Sequence, residues 1–307
     1  MLDIFRANLY DVGRMADSIT VNAPAKINIG LQVFPRRADG YHDIQSVFTT
    51  VGLYDTLTVS LSDREGTCIV ECEGMELPPE NTFTLAYKAF CVLSGIKCGV
   101  RVNVVKRIPS GGGLGGGSSD ASSFIQSIDR LCGTHLKAGD LQHIAGQVGS
   151  DVFFFTQALL SGSEHFTAVV EGRGEKVSQI KARCDYSVVL VFPNVCVSTR
   201  EAYSWVDEEI VARGFSIEPS MEMEGEYRKP ITLWRFKNDF TVPVSVRHTE
   251  IAEAIAGLKN CGADFADMSG SGSTVFGLFV KKGHEACAPA AVRAADFLAG
   301  RWQTVLA

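Results

Sequence analysis

No Gly-Lys-Ser or Gly-Lys-Thr occurs anywhere in the 307 residues, which excludes a Walker-type phosphate loop. Cys-x-x-Cys is missing too, although the chain holds nine cysteines. An odd number of scattered thiols fits a reduced, cytoplasmic chain in which most act as small core hydrophobes. Cys68 and Cys72, four apart in a strand-like run, read as packing. Long apolar runs are absent. The longest, from Tyr186 to Val197, is broken by Pro193 and Asn194 and is too short to cross a membrane. There is no excess of positive charge, since the net charge is -6, and no interleaving of arginines with aromatics. Broad nucleic-acid binding is therefore not expected, and any phosphate-binding surface must be local. The opening MLDIFRANLYDVGRMAD carries charges throughout and has no apolar core, so it does not read as a secretory signal. Residues 1–17 match no motif described below and read as an N-terminal extension, with Met15 as a second candidate start.

What remains is an ordinary globular composition, 46% hydrophobic and 21% charged. The length favours two domains. Ser18 to Asn22 and Ile27 to Phe34 read as strands separated by Ala23 to Lys26, and Gln45 to Val51, Asp55 to Leu61 and Thr67 to Glu73 alternate in the same manner. Asn81 reads as a helix cap ahead of an apolar stripe from Leu85 to Leu93. Val100 to Ile108 is the next strand, followed by a glycine loop and a helix from about Ser118. A shorter helix through Leu141 and Val148 leads to Gly149-Ser150-Asp151, after which Phe153 to Phe155 and Phe166 to Val170 look strand-like.

The second half starts with a strand, Tyr186 to Phe192, and a helix from about Ser198. A polar stretch from Ala212 to Lys229 reads as a long surface loop. A helix carrying Ile251, Ala254 and Leu258, a strand from Thr274 to Val280, a helix from Glu285 to Leu298 and a short last strand follow. The uneven order of strands and helices indicates α+β, with domains at 18–180 and 181–307.

The most informative segment runs from Pro109 through Gly111, Gly112, Gly113, Leu114, Gly115, Gly116 and Gly117 to Ser118 and Ser119. Six glycines in seven positions cost backbone entropy that a plain connection would not require. Their use is close approach: bare backbone N–H groups can curl around an anion, and the following helix points its positive end into the same space. A flexible linker is disfavoured by the strong patterning on both sides. A dinucleotide fingerprint is satisfied by Gly111, Gly113 and Gly116, but no persuasive ribose-binding acid follows.

Three segments in order resemble the GHMP kinases, the family of galactose, homoserine, mevalonate and phosphomevalonate kinases. They are PAKINIGL at 24–31, PSGGGLGGGSSDAS at 109–122 and MSGSGSTVFGLF at 268–279. DGYH at 39–42, GGGLGGGSSDA at 111–121 and GSDV at 149–152 narrow the resemblance to a branch acting on a cytidine-diphosphate-bearing alcohol in non-mevalonate isoprenoid synthesis. Phe153 and Ser122 depart from that branch, where Pro and Ala are common. The resemblance implies a two-domain α+β kinase with its site in the cleft between domains, using ATP and Mg²⁺ on a small-molecule alcohol. Homoserine or mevalonate kinase activity is the alternative within the family, and an RNA-binding module or a non-catalytic sensor stands outside it.

By resemblance, Asp151 accepts the proton of the substrate hydroxyl, while Lys26 keeps Asp151 ionised and stabilises charge in the transition state. On the bare sequence Asp151 could equally be a helix cap, and Lys26 a solvated strand residue. Asn28, two residues on, shares the face of Lys26 and is positioned to bond the substrate. Ser118 or Ser119 would bind a phosphate oxygen or Mg²⁺, and Gly270 to Ser273 would flank the site from the second domain. Tyr41 and Tyr203 are expected to sandwich a cytosine, with the His42 ring hydrogen-bonding its edge and Thr199 nearby. Ordinary packing is the competing reading for these aromatics.

Overall fold

The computed structural model describes residues 18–212, 221–283 and 285–307. Strands β1 (Ser18–Arg36) and β2 (His42–Ser62) are each continuous where the sequence suggested pairs of shorter ones. The two apparent breaks are the two sides of one irregularity. Pro24 pairs with Tyr54 and Ala25 with Val51, so Gly52 and Leu53 are extra on β2 and both strands bend together. Proline is tolerated because the ladder is already interrupted there.

Beyond these come β3 (Cys68–Cys72), α1 (Thr82–Ser94), β4 (Gly99–Val105), α2 (Gly116–Cys132), α3 (Ala138–Val148), α4 (Ser150–Ser161), β5 (Thr167–Gly172) and β6 (Lys176–Ile180). The strands form a six-stranded sheet in the order β3-β4-β2-β5-β6, with β1 paired along β2. Helix α1 starts where Asn81 accepts from the N–H groups of Phe83 and Thr84, while Thr84 Oγ1 accepts from Asn81 N–H.

Phe153 to Phe155, read as strand-like, lie inside α4. Phe154 packs on Phe48 and Phe166, each with ring centroids 5.3 Å away, and Phe155 is fully buried as well. A helix packed on several sides loses its polar stripe, and a short apolar run then looks like a strand.

The second half holds β7 (Tyr186–Phe192), α5 (Thr199–Ala212), α6 (Met223–Arg228), α7 (Thr241–Arg247), α8 (Thr249–Asn260), β8 (Phe265–Met268), β9 (Val275–Val280), α9 (Pro289–Leu298) and β10 (Gln303–Leu306). Its strands run β10-β7-β9-β8. The expected loop at 212–229 is corrected at α6, where Met223 and Tyr227 bury one face and Glu222 caps Gly225 N–H. Residues 213–220, like the extension at 1–17, lie outside the described residues. The last helix starts at Pro289 rather than Glu285, proline being favoured at a first helical position.

The two halves meet along the outer edge of β1. Lys26 N–H donates to Leu114 O at 3.0 Å, and Leu31 exchanges backbone bonds with Lys237 O and Asp239 N–H at 2.8 and 2.9 Å. One strand thus registers the glycine loop against the second half.

Candidate active site

Between β4 and α2 the chain alternates into the left-handed region at Gly111 (φ 72°), Gly113 (φ 77°) and Gly115 (φ 71°). Three successive carbonyls of this loop are held by the scaffold. Gly112 O accepts from Thr274 N–H at 3.1 Å, Gly113 O from the Ser269 hydroxyl at 3.0 Å, and Leu114 O from Lys26 N–H. In a trans peptide the following N–H points opposite to the carbonyl. The N–H groups of Gly113, Leu114 and Gly115 are therefore turned away from these anchors. None of the three donates to another described backbone group outside regular elements. Such a row of free donors, just ahead of the α2 N-terminus, is suited to an anion.

The loop borders a cavity of about 450 Å³ lined from both halves. Lys26, Asn28, Pro109, the stretch from Gly111 to Ser118, and Asp151 face it from the first half; Thr199, Tyr203, Gly270 and Ser271 face it from the second. Ser119 does not line it. Its side chain is buried and its hydroxyl has no protein partner, so Ser118 is the serine of the pair that is open to a ligand.

Lys26 is 3% exposed. Its Nζ donates to Asn28 Oδ1 at 2.6 Å, lies 3.5 Å from Asp151 Oδ2, and sits 4.5 Å above the Phe48 ring. Burial pulls the ammonium below the usual lysine range, against the opposing pull of Asp151. Asn28 is fixed in turn by Ser46 Oγ, which accepts from Nδ2 at 3.4 Å, and by Ser269 Oγ, which accepts from its N–H at 3.3 Å. Asp151 stands in the first turn of α4, with its side chain about one-third exposed to the cavity. An ammonium, an amide and an open carboxylate thus converge beside a row of N–H donors.

The aromatic end differs from the sequence expectation. The ring stacked on Tyr203 is that of His42, with centroids 5.0 Å apart at 28°, and Tyr203 meets Phe240 edge-on at 4.8 Å. Tyr41 is 54% exposed, does not line the cavity, and lies under the Arg173 guanidinium at 3.7 Å. The paired tyrosines are therefore not face to face in this structure. His42 Nδ1 is 2.8 Å from Phe34 O, which makes it the donor, and Nε2 faces Asp207 at 3.5 Å. Both edges of the ring are engaged by protein groups, one face is covered by Tyr203, and the buried His42 does not line the cavity, so it supports Tyr203 from behind.

Sequence reasoning did not single out Ser46, Ser269, Thr274 or Lys106. Lys106 lines the cavity while bonding Asp120 Oδ2 at 2.7 Å and Asp55. Asp55 also accepts from the N–H groups of Arg107 and Ile108 at 2.6 and 2.9 Å, anchoring the entry to the glycine loop. Burial pushes the Asp120 carboxyl up against the pull of Lys106. No spacing rule links these residues, because the contacts join separate elements.

Residues 81–158 match the family described as GHMP kinases N terminal domain, and residues 229–296 match GHMP kinases C terminal. A 4-diphosphocytidyl-2-C-methyl-D-erythritol kinase of Treponema pallidum (strain Nichols) is 40% identical over 270 residues, covering 85% of this chain and 90% of its own. A crystal structure of 4-(cytidine 5'-diphospho)-2C-methyl-D-erythritol kinase superposes with a TM-score of 0.73 at 29% identity, covering 94% of this chain and 98% of that one. Homoserine kinase from Cytophaga hutchinsonii superposes at 0.64 and 18% identity over 98% of this chain and 96% of its own, a likeness of fold alone. At the first of these identities and over that length, the chain belongs to the 4-diphosphocytidyl-2-C-methyl-D-erythritol kinases, a branch of the GHMP kinase family.

Proposed function

We propose that this chain transfers the γ-phosphoryl group of ATP to the 2-hydroxyl of 4-diphosphocytidyl-2-C-methyl-D-erythritol, in the cytoplasm. The observation that carries the reading is the convergence of Lys26, Asn28 and Asp151 beside the row of free N–H groups. Phosphoryl transfer asks a protein chiefly for alignment and charge neutralisation, and the site is built for both. The N–H groups of Gly113 to Gly115 and the α2 N-terminus bind and orient the phosphate chain. Asp151 takes the proton from the attacking hydroxyl. Lys26, already short of solvation, stabilises negative charge on the transferring group, and Asn28 keeps it aimed. No group of three His, Cys, Asp or Glu side chains able to cage a metal exists among the described residues. Mg²⁺ would therefore be held mainly by phosphate oxygens and water, with the Ser118 hydroxyl and the Asp151 carboxylate among the side-chain oxygens that line the cavity. When bound it supplies charge neutralisation between phosphates.

The cytidine end of the substrate would lie toward Tyr203 and His42. Removing an aromatic that stacks on a base costs about 1–3 kcal/mol, or roughly five- to hundred-fold. Tyr203→Ala is accordingly expected to raise KM for the cytidyl substrate by about that factor, with KM for ATP within about twofold of wild type. Tyr203→Phe should be close to wild type, since the stacked face is retained. An unchanged cytidyl KM in Tyr203→Ala would remove Tyr203 from the substrate site. The overall reading is tested by ATP turnover on a panel of the cytidyl compound, its uridyl analogue, homoserine and mevalonate. The cytidyl compound should be preferred, and equal turnover of homoserine or mevalonate would overturn the assignment.

A further inference from the structure

Four of the nine thiols gather in one part of the six-stranded half. Cys68 opens β3, Cys91 lies near the end of α1, Cys98 immediately precedes β4, and Cys132 closes α2. None of them lines the cavity. They do not amount to a metal site, since no three potential ligands are grouped for one among the described residues. They do contain one close pair: the sulfurs of Cys98 and Cys132 are 2.9 Å apart, closer than two non-bonded sulfurs ordinarily pack. Both residues are half-buried, so a small reagent can reach them.

We propose that Cys98 and Cys132 form a covalent modification site, oxidised by a low-molecular-weight disulfide to an intrachain bond that staples β4 to α2. Cys98, having lost its proton to water, attacks one sulfur of the reagent, breaking its S–S bond and releasing one thiolate. Cys132 then gives its proton to a leaving thiolate and attacks the Cys98 sulfur of the mixed disulfide, releasing the second half. Two protein thiols are oxidised, one small disulfide is reduced to two small thiols, and no further reactant is needed. Burial, with the Cys98 thiol alongside, pushes the Cys132 thiol up, so it keeps its proton until the intramolecular step.

The position of the bond determines its consequence. The ring it closes runs from 98 to 132 and contains the entire glycine loop. β4 leads into that loop and α2 leads out of it, so the staple joins the two elements at the ends remote from the phosphate cradle. From the first turn of α2 to Cys132 is about 24 Å of helix. The bond should therefore limit how far the nucleotide-binding unit opens on unfolding, while leaving the folded site as it is.

The experiment treats the full-length protein with oxidised glutathione, caps free thiols with iodoacetamide, and maps linked peptides by mass spectrometry. The expected product is two hydrogens lighter, with Cys98 joined to Cys132. Its Tm should exceed that of the reduced form by about 5 °C or more, with kcat and both KM values within about twofold. Cys98→Ser and Cys132→Ser, measured separately, should match the reduced wild-type Tm and lose the oxidant response. Recovery of both thiols in capped form would overturn the proposal. So would a stable glutathione adduct, a bond to Cys68 or Cys91, or a Tm response surviving in either variant. None of these outcomes depends on which alcohol the enzyme phosphorylates.

Discussion

Asp151→Asn lowers kcat by about 10²–10⁴, the usual cost of losing a general base, and leaves KM for ATP within a few-fold. The substitution keeps the size of the side chain and removes its capacity to take a proton. The fold has little stake in it. Asp151 sits in the first turn of α4 with its side chain about one-third exposed, and its ion-pair partner is Lys26 at 3.5 Å. A second effect has a definite sign. Burial already draws the Lys26 ammonium down, and Asp151 is the group pulling it back up. Without that carboxylate Lys26 loses its proton at lower pH, so the alkaline limb of the residual activity moves down in pH. Single-turnover measurements across pH read both effects. Turnover within about threefold of wild type would remove Asp151 from the chemistry.

The parts of this molecule that were legible in sequence share one property: their signal is local. The glycine loop declares itself by composition, Asn81 by its place ahead of an apolar stripe, and β7 by an apolar run interrupted only at Ser187. What was missed depends on contacts between distant segments. The bulge at Pro24 was read as two strand ends because its other half, Gly52 and Leu53, lies on a different strand. Phe153 to Phe155 look strand-like in sequence although they are helical, because α4 is buried on more than one side, which erases the period that would have revealed it. The same holds within the site. Lys26 and Asn28 are paired by a spacing of two, which a strand reading supplies. That Ser269 holds Asn28 depends on residues 241 positions apart. His42 rather than Tyr41 meets Tyr203 because the His42 ring is pinned between Phe34 O and Asp207. A turn motif such as Asp39-Gly40 gives no sign of that anchoring.

Gly113→Ala should abolish measurable ATP binding, raising the dissociation constant by about 100-fold or more, and the reason differs from simple obstruction of a phosphate. Two costs add at this position. At φ 77° a side chain meets the left-handed penalty, about 1–2 kcal/mol. The added Cβ would also lie 2.0 Å from Ser269 O and 2.9 Å from Gly272 O, which are backbone atoms without room to yield. The loop must therefore leave the second half. In doing so it gives up the bonds that hold the Gly112 and Gly113 carbonyls and that turn the N–H groups of Gly113 and Leu114 toward the cavity. Gly111→Ala separates the two costs. Its φ is 72°, but nothing lies within 4 Å of the new carbon, so only the backbone penalty applies and about a five- to thirty-fold loss is expected. Gly115 behaves differently again. A Cβ there points inward, 2.8 Å from the Phe155 ring and 3.3 Å from Lys26 Cε, so bulk at Gly115 displaces the lysine and lowers kcat as well as affinity. Calorimetric titration of the three alanine variants with a non-hydrolysable ATP analogue, beside their melting curves, checks the series. If Gly113→Ala binds as tightly as Gly111→Ala while both melt like wild type, pinning of the loop by Ser269 is not what shapes the phosphate cradle.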